Sequence, residues 1–391
     1  MGKTAVKNGR QTHPNIIFIL SNQLRADECS CYGAENISTP HIDRLAENGV
    51  TFTNAVATCP LCTPYRGMLM SSRYPTHTGI VANFVDVTSE QNPNCLVEIF
   101  SQHGYDTGYI GKWHLSAGRF GCDSPYFRHA EYVPPGPSRL GFNYWAAYNF
   151  HLDFNDYWYY EDDLERRYSN RYETDTQFDQ AIKFIKKRQS GDRPSFLFVS
   201  PHPHHPLYRP AKAPPGYMEK VPEKLKWRRN VSSENPRTTE EMRIYLAMEN
   251  IDDNVDRLIA FLEKSSLIQN TIVIFNSDHG EMHGSHGRIN KLVPYRETIM
   301  VPLIFYGPGR ISEGVRIEEI YTPLDHLPTL SGLAGIPAPD NVEGIDLSDL
   351  LFGKGRTDRE EALLMNYTSH WNRFTSQTPE EARRLGFRCW L

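Results

Sequence analysis

The segment from Cys62 to Arg66 places a cysteine, a proline and an arginine at a spacing that suits anion chemistry. Pro64 restricts the backbone, because proline fixes its own φ angle and limits the residue before it. Arg66 follows Cys62 by four residues, so on the first turn of a helix its side chain faces back toward the cysteine. A helix N-terminus beside a guanidinium group is a favourable anion site. A buried cysteine before an ordinary helix is the alternative interpretation.

Polar residues also follow other predicted strands. The apolar residues 15–20 run into Asn22 and Gln23, and residues 271–276 run into Asp278 and His279. In open α/β sheets, ligands gather at the carboxyl ends of strands. A capped loop without a ligand is the alternative for each of these strand ends.

Two further strand ends carry cationic or imidazole groups. Lys112 and His114 are two residues apart on an extended segment and therefore point to the same side, although such a pair is also common at a surface. Residues 201–206 contain three histidines in four positions, which could indicate a metal site. The prolines on both sides fix the backbone and keep the rings from converging freely, which argues against metal.

The Cys62-x-Pro64-x-Arg66 core, followed by Leu69 and Arg73, resembles the motif of the formylglycine-dependent sulfatases in the alkaline-phosphatase superfamily. Segments ending near residues 23, 62, 112, 204 and 279 occur in the family's order, so the resemblance covers nearly the whole chain. It implies that a formylglycine-generating maturation enzyme oxidises Cys62, and that the protein binds one divalent cation, calcium or alternatively magnesium.

The resemblance also implies roles for individual residues. The catalytic residues that match the family are Cys62, Arg66, Lys112, His114, His204 and Lys291. The metal ligands that match are Asn22, Gln23, Asp278 and His279. In the implied mechanism, Arg66 holds the formylglycine hydrate, whose oxygen attacks sulfur. Lys112 and Lys291 neutralise the sulfate, His204 assists the departing alcohol, and His114 finally removes a proton to release sulfate.

Two residues depart from the family's pattern. Tyr65 stands where serine or alanine is usual, next to the residues that the maturation enzyme reads. Asn22 replaces an expected aspartate and removes one negative charge from the metal site. Its amide oxygen can still ligate calcium, so we expect a weaker cation site rather than none.

The pattern of apolar runs predicts an α/β fold with a large mixed, mostly parallel sheet sandwiched by helices. Predicted strands cover residues 15–20, 50–57, 105–110, 195–200, 271–276 and 301–306. Predicted helices include residues 95–103, 175–188, 239–264 and 324–334 and one that starts near Pro40. We expect a catalytic domain at residues 1–355 and, at residues 356–391, the beginning of a smaller C-terminal α+β subdomain that is truncated.

Residues 122–170 are rich in aromatics and too irregular for a helix, and they are interpreted as a functional loop insertion. The predicted substrate-binding residues are Trp145, Asn149 and His151, since aromatic rings cover sugar faces and polar groups bind hydroxyls. A satellite core beneath a loop is the alternative.

The composition is that of an ordinary soluble protein and excludes several classes. The net charge of −5 shows no basic footprint for nucleic acid, and no apolar segment is long enough to span a membrane. Seven cysteines without regular spacing do not form a disulfide framework. No signal peptide is recognised, so the expected location is cytoplasmic, or periplasmic or secreted if a leader has been removed.

The predicted function is hydrolysis of a sulfate ester, with a sulfated saccharide favoured as the substrate. A phosphonate monoester or phosphodiester hydrolase with the same nucleophile is one alternative. A catalytically weak relative that binds sulfated glycans is another, favoured by Asn22 and Tyr65.

Overall fold

The computed structural model describes residues 13–83, 85–117, 132–205, 209–231, 236–247, 249–366 and 388–390. The strands in chain order are β1 (Asn15–Ser21), β2 (Val50–Ala55), β3 (Asp106–Lys112), β4 (Tyr144–Tyr148), β5 (Trp158–Tyr159), β6 (Arg167–Tyr168), β7 (Ser195–Ser200), β8 (Thr271–Ser277), β9 (Leu303–Tyr306), β10 (Val315–Tyr321), β11 (Leu364–Asn366) and β12 (Arg388–Trp390).

Eight of these strands form the main sheet, in the order β10-β2-β9-β8-β1-β7-β3-β4. Strand β9 is antiparallel to both of its neighbours, β2 and β8. The other adjacent pairs in this sheet are parallel. The predicted large, mixed and mostly parallel sheet is therefore confirmed.

Strand β1 lies inside the sheet, between β7 and β8, and is buried on both faces. Ile16, Phe18 and Leu20 belong to the apolar cluster on one face, while Ile17 and Ile19 belong to the cluster on the other. Side chains alternate between the faces of a strand, so a strand covered on both sides needs a continuous apolar run.

Helices cover both faces of the sheet. The helices in chain order are α1 (Pro40–Glu47), α2 (Cys62–Ser71), α3 (Pro75–Thr78), α4 (Leu96–Gln102), α5 (Glu173–Arg188), α6 (Pro236–Ala247), α7 (Ile251–Lys264), α8 (Arg296–Ile299), α9 (His326–Ala334) and α10 (Ser348–Leu351). Buried residues of α2, α4 and α9 belong to the cluster that contains Phe18. Buried residues of α1, α5, α6 and α7 belong to the opposite cluster. The predicted sandwich of helices around the sheet is confirmed.

The helix predicted over residues 239–264 is wrong in its continuity. It consists of α6 and α7, with Glu249 and Asn250 between them. Both side chains are buried, and Asn250 Nδ2 donates a hydrogen bond to Asp175 Oδ1 at 3.2 Å. The apolar period continues across the interruption because both helices pack against the same face of the sheet.

Two strands of the main sheet were not predicted. Strand β4 lies within residues 122–170, so the interpretation of that whole segment as a loop insertion is wrong; residues 118–131 lie outside the described residues. Strand β10 carries exposed charges at Arg316 and Glu318, because it pairs with β2 alone at one edge of the sheet. An edge strand buries less of each residue and so loses the apolar run of a central strand.

Strands β11 and β12 form a separate antiparallel pair outside the main sheet. The division into residues 1–355 and 356–391 stays a prediction. Among the described helices, none combines the length and the apolar character that a bilayer crossing needs.

Candidate active site

The carboxyl ends of β1, β3, β7 and β8 are adjacent in the sheet and carry most of the predicted site residues. Asn22 and Gln23 directly follow β1, Lys112 ends β3, and Asp278 follows β8. Because these strands are parallel, their carboxyl ends open on the same edge of the sheet. Asn22 and Asp278, which are 256 positions apart, therefore meet where the sequence analysis expects a site.

Cys62 is the first residue of α2 and is fully buried beneath this edge. Its Sγ atom lies 3.6 Å from the Nζ atoms of both Lys112 and Lys291. His279 Nε2 is 3.2 Å from the same sulfur, and Asn22 Nδ2 is 3.8 Å from it. Burial raises the pKa of the thiol, but the positive charges of Lys112 and Lys291 oppose burial, and the pKa of Cys62 lies well below its usual value. The surroundings of residue 62 therefore favour negative charge.

Lys112 and His114 are both buried at the end of β3. Burial lowers the pKa of Lys112 to about 8, although the Cys62 thiolate opposes this shift. Burial and then the charge of Lys112 lower the pKa of His114 to about 4. His114 lies beyond β3 and has a left-handed backbone, with φ of 56°, so the extended segment predicted through Lys112 and His114 is wrong at His114. Its N–H donates to Asn149 O at 2.9 Å. A neutral imidazole at this position is able to accept a proton at neutral pH.

Arg66 lies on α2 and joins three strand ends. Its Nη1 donates to Lys112 O at 2.9 Å and to Ser200 Oγ at 2.8 Å, and its Nη2 lies 3.3 Å from Asp278 Oδ2. The guanidinium is 2% exposed. Arg66 therefore fixes the ends of β3 and β7 and the Asp278 carboxylate in one arrangement.

A set of metal-compatible donors lies beside Cys62. Ligand atoms of Cys62, Asp278 and His279 are within 4.8 Å of one another. His279 Nδ1 is 3.0 Å from Gly280 O, so Nδ1 carries the proton and Nε2 presents a lone pair toward the cluster. Asn22 Nδ2 is 2.5 Å from Asp278 Oδ2, which places the amide at the same carboxylate. A carboxylate and an imidazole nitrogen fit a divalent cation. The Asn22 oxygen accepts from Lys112 Nζ at 3.2 Å, so this amide would have to turn to become a third ligand.

Gln23, the fourth predicted metal ligand, contacts other groups through its side chain. Its backbone N–H donates to Asp278 Oδ1 at 2.9 Å, whereas its Nε2 donates to Glu281 Oε2. Lys291 Nζ donates to Gln23 Oε1 at 2.5 Å. Glu281 is 1% exposed and was not identified from the sequence. Its position three residues after Asp278, in a strand-end loop, was the available signal.

The segment after β7 places His204 beside Asn22, and the catalytic role of His204 stays a prediction. His204 N–H donates to Asn22 O at 3.3 Å, and its Nε2 lies 2.8 Å from Glu249 Oε2. His202 is also fully buried, and its ring packs against Phe150 at 5.0 Å. Glu249, like Glu281, is a buried carboxylate that sequence analysis missed, because it lies inside an apparently continuous helix.

The three predicted substrate-binding residues have internal contacts. Trp145 is 2% exposed on β4 and stacks on Tyr109 at 5.4 Å. His151 Nε2 is 2.9 Å from Trp158 O, and its Nδ1 accepts the N–H of Asp153 at 3.1 Å. These contacts support the packing alternative that the sequence left open, and the substrate-binding roles of Trp145 and His151 stay predictions.

Asn149 and Phe150, within residues 122–170, also contact catalytic residues. Asn149 binds both the N–H and the O of Ser116 through its side chain, at 3.1 and 2.9 Å, and accepts from His114 through its backbone. The Phe150 ring lies 4.7 Å from the His114 ring and 5.3 Å from Lys112 Nζ. Asn149 thus holds the His114 backbone, and its substrate-binding role also stays a prediction.

Comparisons with known proteins agree with this geometry. The chain matches the family model described as Sulfatase over residues 14–336. The ulvan-active sulfatase of Formosa agariphila is 36% identical over 372 residues, which cover 93% of this chain and 70% of that protein. The endo-4-O-sulfatase of Bacteroides thetaiotaomicron is 28% identical over 377 residues, which cover 87% of this chain and 73% of that protein.

A solved Bacteroides thetaiotaomicron structure, from work on the metabolism of multiple glycosaminoglycans, has a similar fold. Its TM-score is 0.80 at 26% identity, and the match covers 90% of this chain and 80% of that one. The sulfatase match spans the main sheet and the residues around Cys62. The chain therefore belongs to the formylglycine-dependent sulfatase family, with an alkaline-phosphatase-like fold, and is a sulfatase.

Proposed function

We propose that this sulfatase hydrolyses a sulfate ester of a saccharide, using residue 62 as formylglycine and one divalent cation, calcium, beside it. The observation that carries the proposal is the placement of Lys112 Nζ and Lys291 Nζ, each 3.6 Å from Cys62 Sγ. Two buried cations on one nucleophile position favour a substrate that brings a negatively charged group to it.

The chain's own residues divide the work around the sulfate group. Lys112 and Lys291 bind its oxygens, and Arg66 holds Asp278 through the contact at 3.3 Å. His114, with a pKa of about 4, is neutral at physiological pH and accepts the proton that releases sulfate from residue 62. His204 assists the departing alcohol. The formylglycine hydrate supplies the attacking oxygen, and the bound cation supplies positive charge to the sulfate oxygens.

Asn22, Asp278 and His279 are the residues that would hold the cation. Ligand atoms of Asp278 and His279 meet beside Cys62. The Asn22 amide is placed with Nδ2 at Asp278 Oδ2 and with Oδ1 accepting from Lys112 Nζ at 3.2 Å, so it would turn to offer its oxygen to the cation. Calcium is proposed over magnesium because it accepts an irregular ligand set, whereas magnesium demands near-octahedral geometry. Metal analysis of the purified protein tests this: one calcium per chain supports the proposal, and a chain that is active without any divalent ion overturns it.

The saccharide part of the proposal is supported by relatives. One relative is named as ulvan-active and another as an endo-4-O-sulfatase. The proposed reaction therefore releases inorganic sulfate from a sulfated sugar and leaves the sugar hydroxyl.

The experiment combines mass spectrometry with parallel assays. After coexpression with a formylglycine-generating maturation enzyme, the tryptic peptide that contains residue 62 should show the aldehyde mass. The converted protein should release sulfate from sulfated oligosaccharides and should act poorly on phenylphosphonate esters. Sulfatase activity with residue 62 found only as cysteine would contradict the nucleophile, and a preference for the phosphonate would contradict the substrate class.

A further inference from the structure

The side-chain amide of Gln23 lies between two buried groups of opposite charge. Its Nε2 donates to Glu281 Oε2, and its Oε1 accepts from Lys291 Nζ at 2.5 Å. Lys291 Nζ is in turn 3.6 Å from Cys62 Sγ. One chain of contacts therefore connects Glu281, through Gln23 and Lys291, to the nucleophile position.

The orientation of this amide follows from its partners. An ionised carboxylate only accepts hydrogen bonds, and an ammonium group only donates them. The amide NH₂ of Gln23 must therefore face Glu281, and its oxygen must face Lys291. Glu281 thus determines which atom of the Gln23 amide contacts Lys291, namely Oε1.

The other oxygen of Glu281 organises the loop that carries Lys291. Glu281 Oε1 accepts the N–H of Met282 at 3.1 Å, of His283 at 3.4 Å, and of Asn290. Asn290 immediately precedes Lys291 in the chain. Including the amide of Gln23, four N–H donors converge on one buried carboxylate, an environment that an ionised group satisfies.

We propose that Glu281 is a positioning residue that, through the Gln23 amide and the Asn290 backbone, aims Lys291 at residue 62. The inference rests on the proposed function, in which Lys291 binds the sulfate group. It also gives Gln23 a role other than the predicted metal ligand: its side-chain oxygen serves Lys291, while its backbone N–H serves Asp278.

A double-mutant cycle on the converted protein tests this with 4-nitrophenyl sulfate. In Glu281→Gln, the new amide is able to donate toward Gln23, so the Gln23 amide turns and its NH₂ meets the lysine. We expect kcat/KM to fall about tenfold when Lys291 is present and less than about twofold when the same change is made in Lys291→Met. Equal fold losses in both backgrounds would overturn the proposal.

Glu297→Gln is the matched control. Glu297 is a buried carboxylate, 3% exposed, that accepts from Asn230 Nδ2 at 2.5 Å and has no contact with Lys291 among the described residues. The Glu297→Gln substitution should lower the melting temperature. It should reduce kcat/KM by the same factor whether Lys291 is present or replaced by Met. The proposal would fail if the loss of kcat/KM in Glu297→Gln depended on Lys291 as strongly as the loss in Glu281→Gln. The coupling would then be a general effect of loop damage.

A crystal structure of Glu281→Gln also tests whether Glu281 positions Lys291, and it requires no activity measurement. A Gln23 amide that has turned, with Lys291 Nζ displaced from residue 62, supports the positioning role; an unchanged lysine overturns it. This second measurement separates the two proposals. Converted wild-type protein without sulfatase activity would contradict the proposed function, while the position of Lys291 in the variant would still decide the role of Glu281.

Discussion

His204 Nε2 lies 2.8 Å from Glu249 Oε2, and both side chains are buried, with His204 after β7 and Glu249 between α6 and α7. A continuous helix through residues 248–250 was predicted, yet the interruption is what lets Glu249 reach the segment after β7. The carboxylate occupies one ring nitrogen of His204 and so restricts the orientation of the ring. Glu249, which belongs to none of the recognisable motifs, therefore orients the His204 ring.

The first prediction concerns this pair. Glu249→Ala leaves a buried imidazole without its carboxylate, and leaving a buried polar group without a partner costs about 1–3 kcal/mol of unfolding free energy. Urea denaturation followed by circular dichroism measures the loss. Glu263→Ala is the control, because its pair with Arg44 is exposed and the expected change is within about 1 kcal/mol. Similar losses in both variants would contradict a buried, structurally important pair.

Tyr65, the departure beside the nucleophile, is the subject of the second prediction. Its hydroxyl donates to Asn276 Oδ1 at 2.6 Å, and the ring is 1% exposed. Tyr65→Phe should lower the unfolding free energy by about 1–3 kcal/mol, because Asn276 keeps a buried acceptor without a donor. The exposed Tyr168→Phe should change it by less than about 0.5 kcal/mol.

The same variant also tests maturation. Since the Tyr65 hydroxyl faces β8 and not Cys62, conversion of residue 62 should be as complete in Tyr65→Phe as in the wild type. Peptide masses after coexpression with the maturation enzyme measure the converted fraction. A markedly lower fraction would show that the hydroxyl itself matters to the maturation enzyme.

The third prediction addresses the cation. Asn22→Asp places a second carboxylate next to Asp278, whose Oδ2 now accepts from the Asn22 amide at 2.5 Å. The variant should bind calcium more tightly than the wild type, since the number of ligand charges tunes calcium affinity. It should also be less stable without the ion, because two carboxylates then face each other. Isothermal titration calorimetry and melting curves with and without calcium measure both effects; weaker binding in Asn22→Asp would contradict the ligand assignment.

The fourth prediction is a pH dependence of stability. His326 is the first residue of α9 and is fully buried against Tyr321 of β10, and burial lowers its pKa to about 3. In the unfolded chain the pKa is about 6.5, so between these values the unfolded state binds the extra proton. The contribution of His326 is therefore complete above about pH 6.5 and is lost as the pH falls from there toward 3.

His326→Phe should remove this dependence. The slope of unfolding free energy against pH between 6 and 4 should decrease by about 1.4 kcal/mol per pH unit, one proton's worth. Part of the absolute stability is lost as well, because the Nδ1 contact with the Tyr321 hydroxyl at 3.0 Å disappears. Denaturation series at several pH values measure the slope, and an unchanged slope would contradict a neutral buried His326.

The local sequence alone determined the central elements and the motif residues. Residues 16–20 are all apolar, and a strand buried on both faces requires that, so β1 was predictable. Pro40 marked the beginning of α1, and Lys112 was recognised at the end of β3. These features depend on residues a few positions apart in the chain, so the local sequence is enough to predict them.

Only the tertiary structure decided the partners of these residues and the directions of the strands. Gln23 meets Lys291 across 268 positions, and Tyr65 meets Asn276 across 211. The antiparallel β9, the edge strands β4 and β10, and the interruption before α7 likewise depend on what packs against them. Periodicity records whether a side chain is buried, but a hydrogen bond also needs a partner at the correct distance and direction. That partner is set by the path of the whole chain, so Glu249 and Glu281 emerged as supports of the site only once the sheet had brought distant segments together.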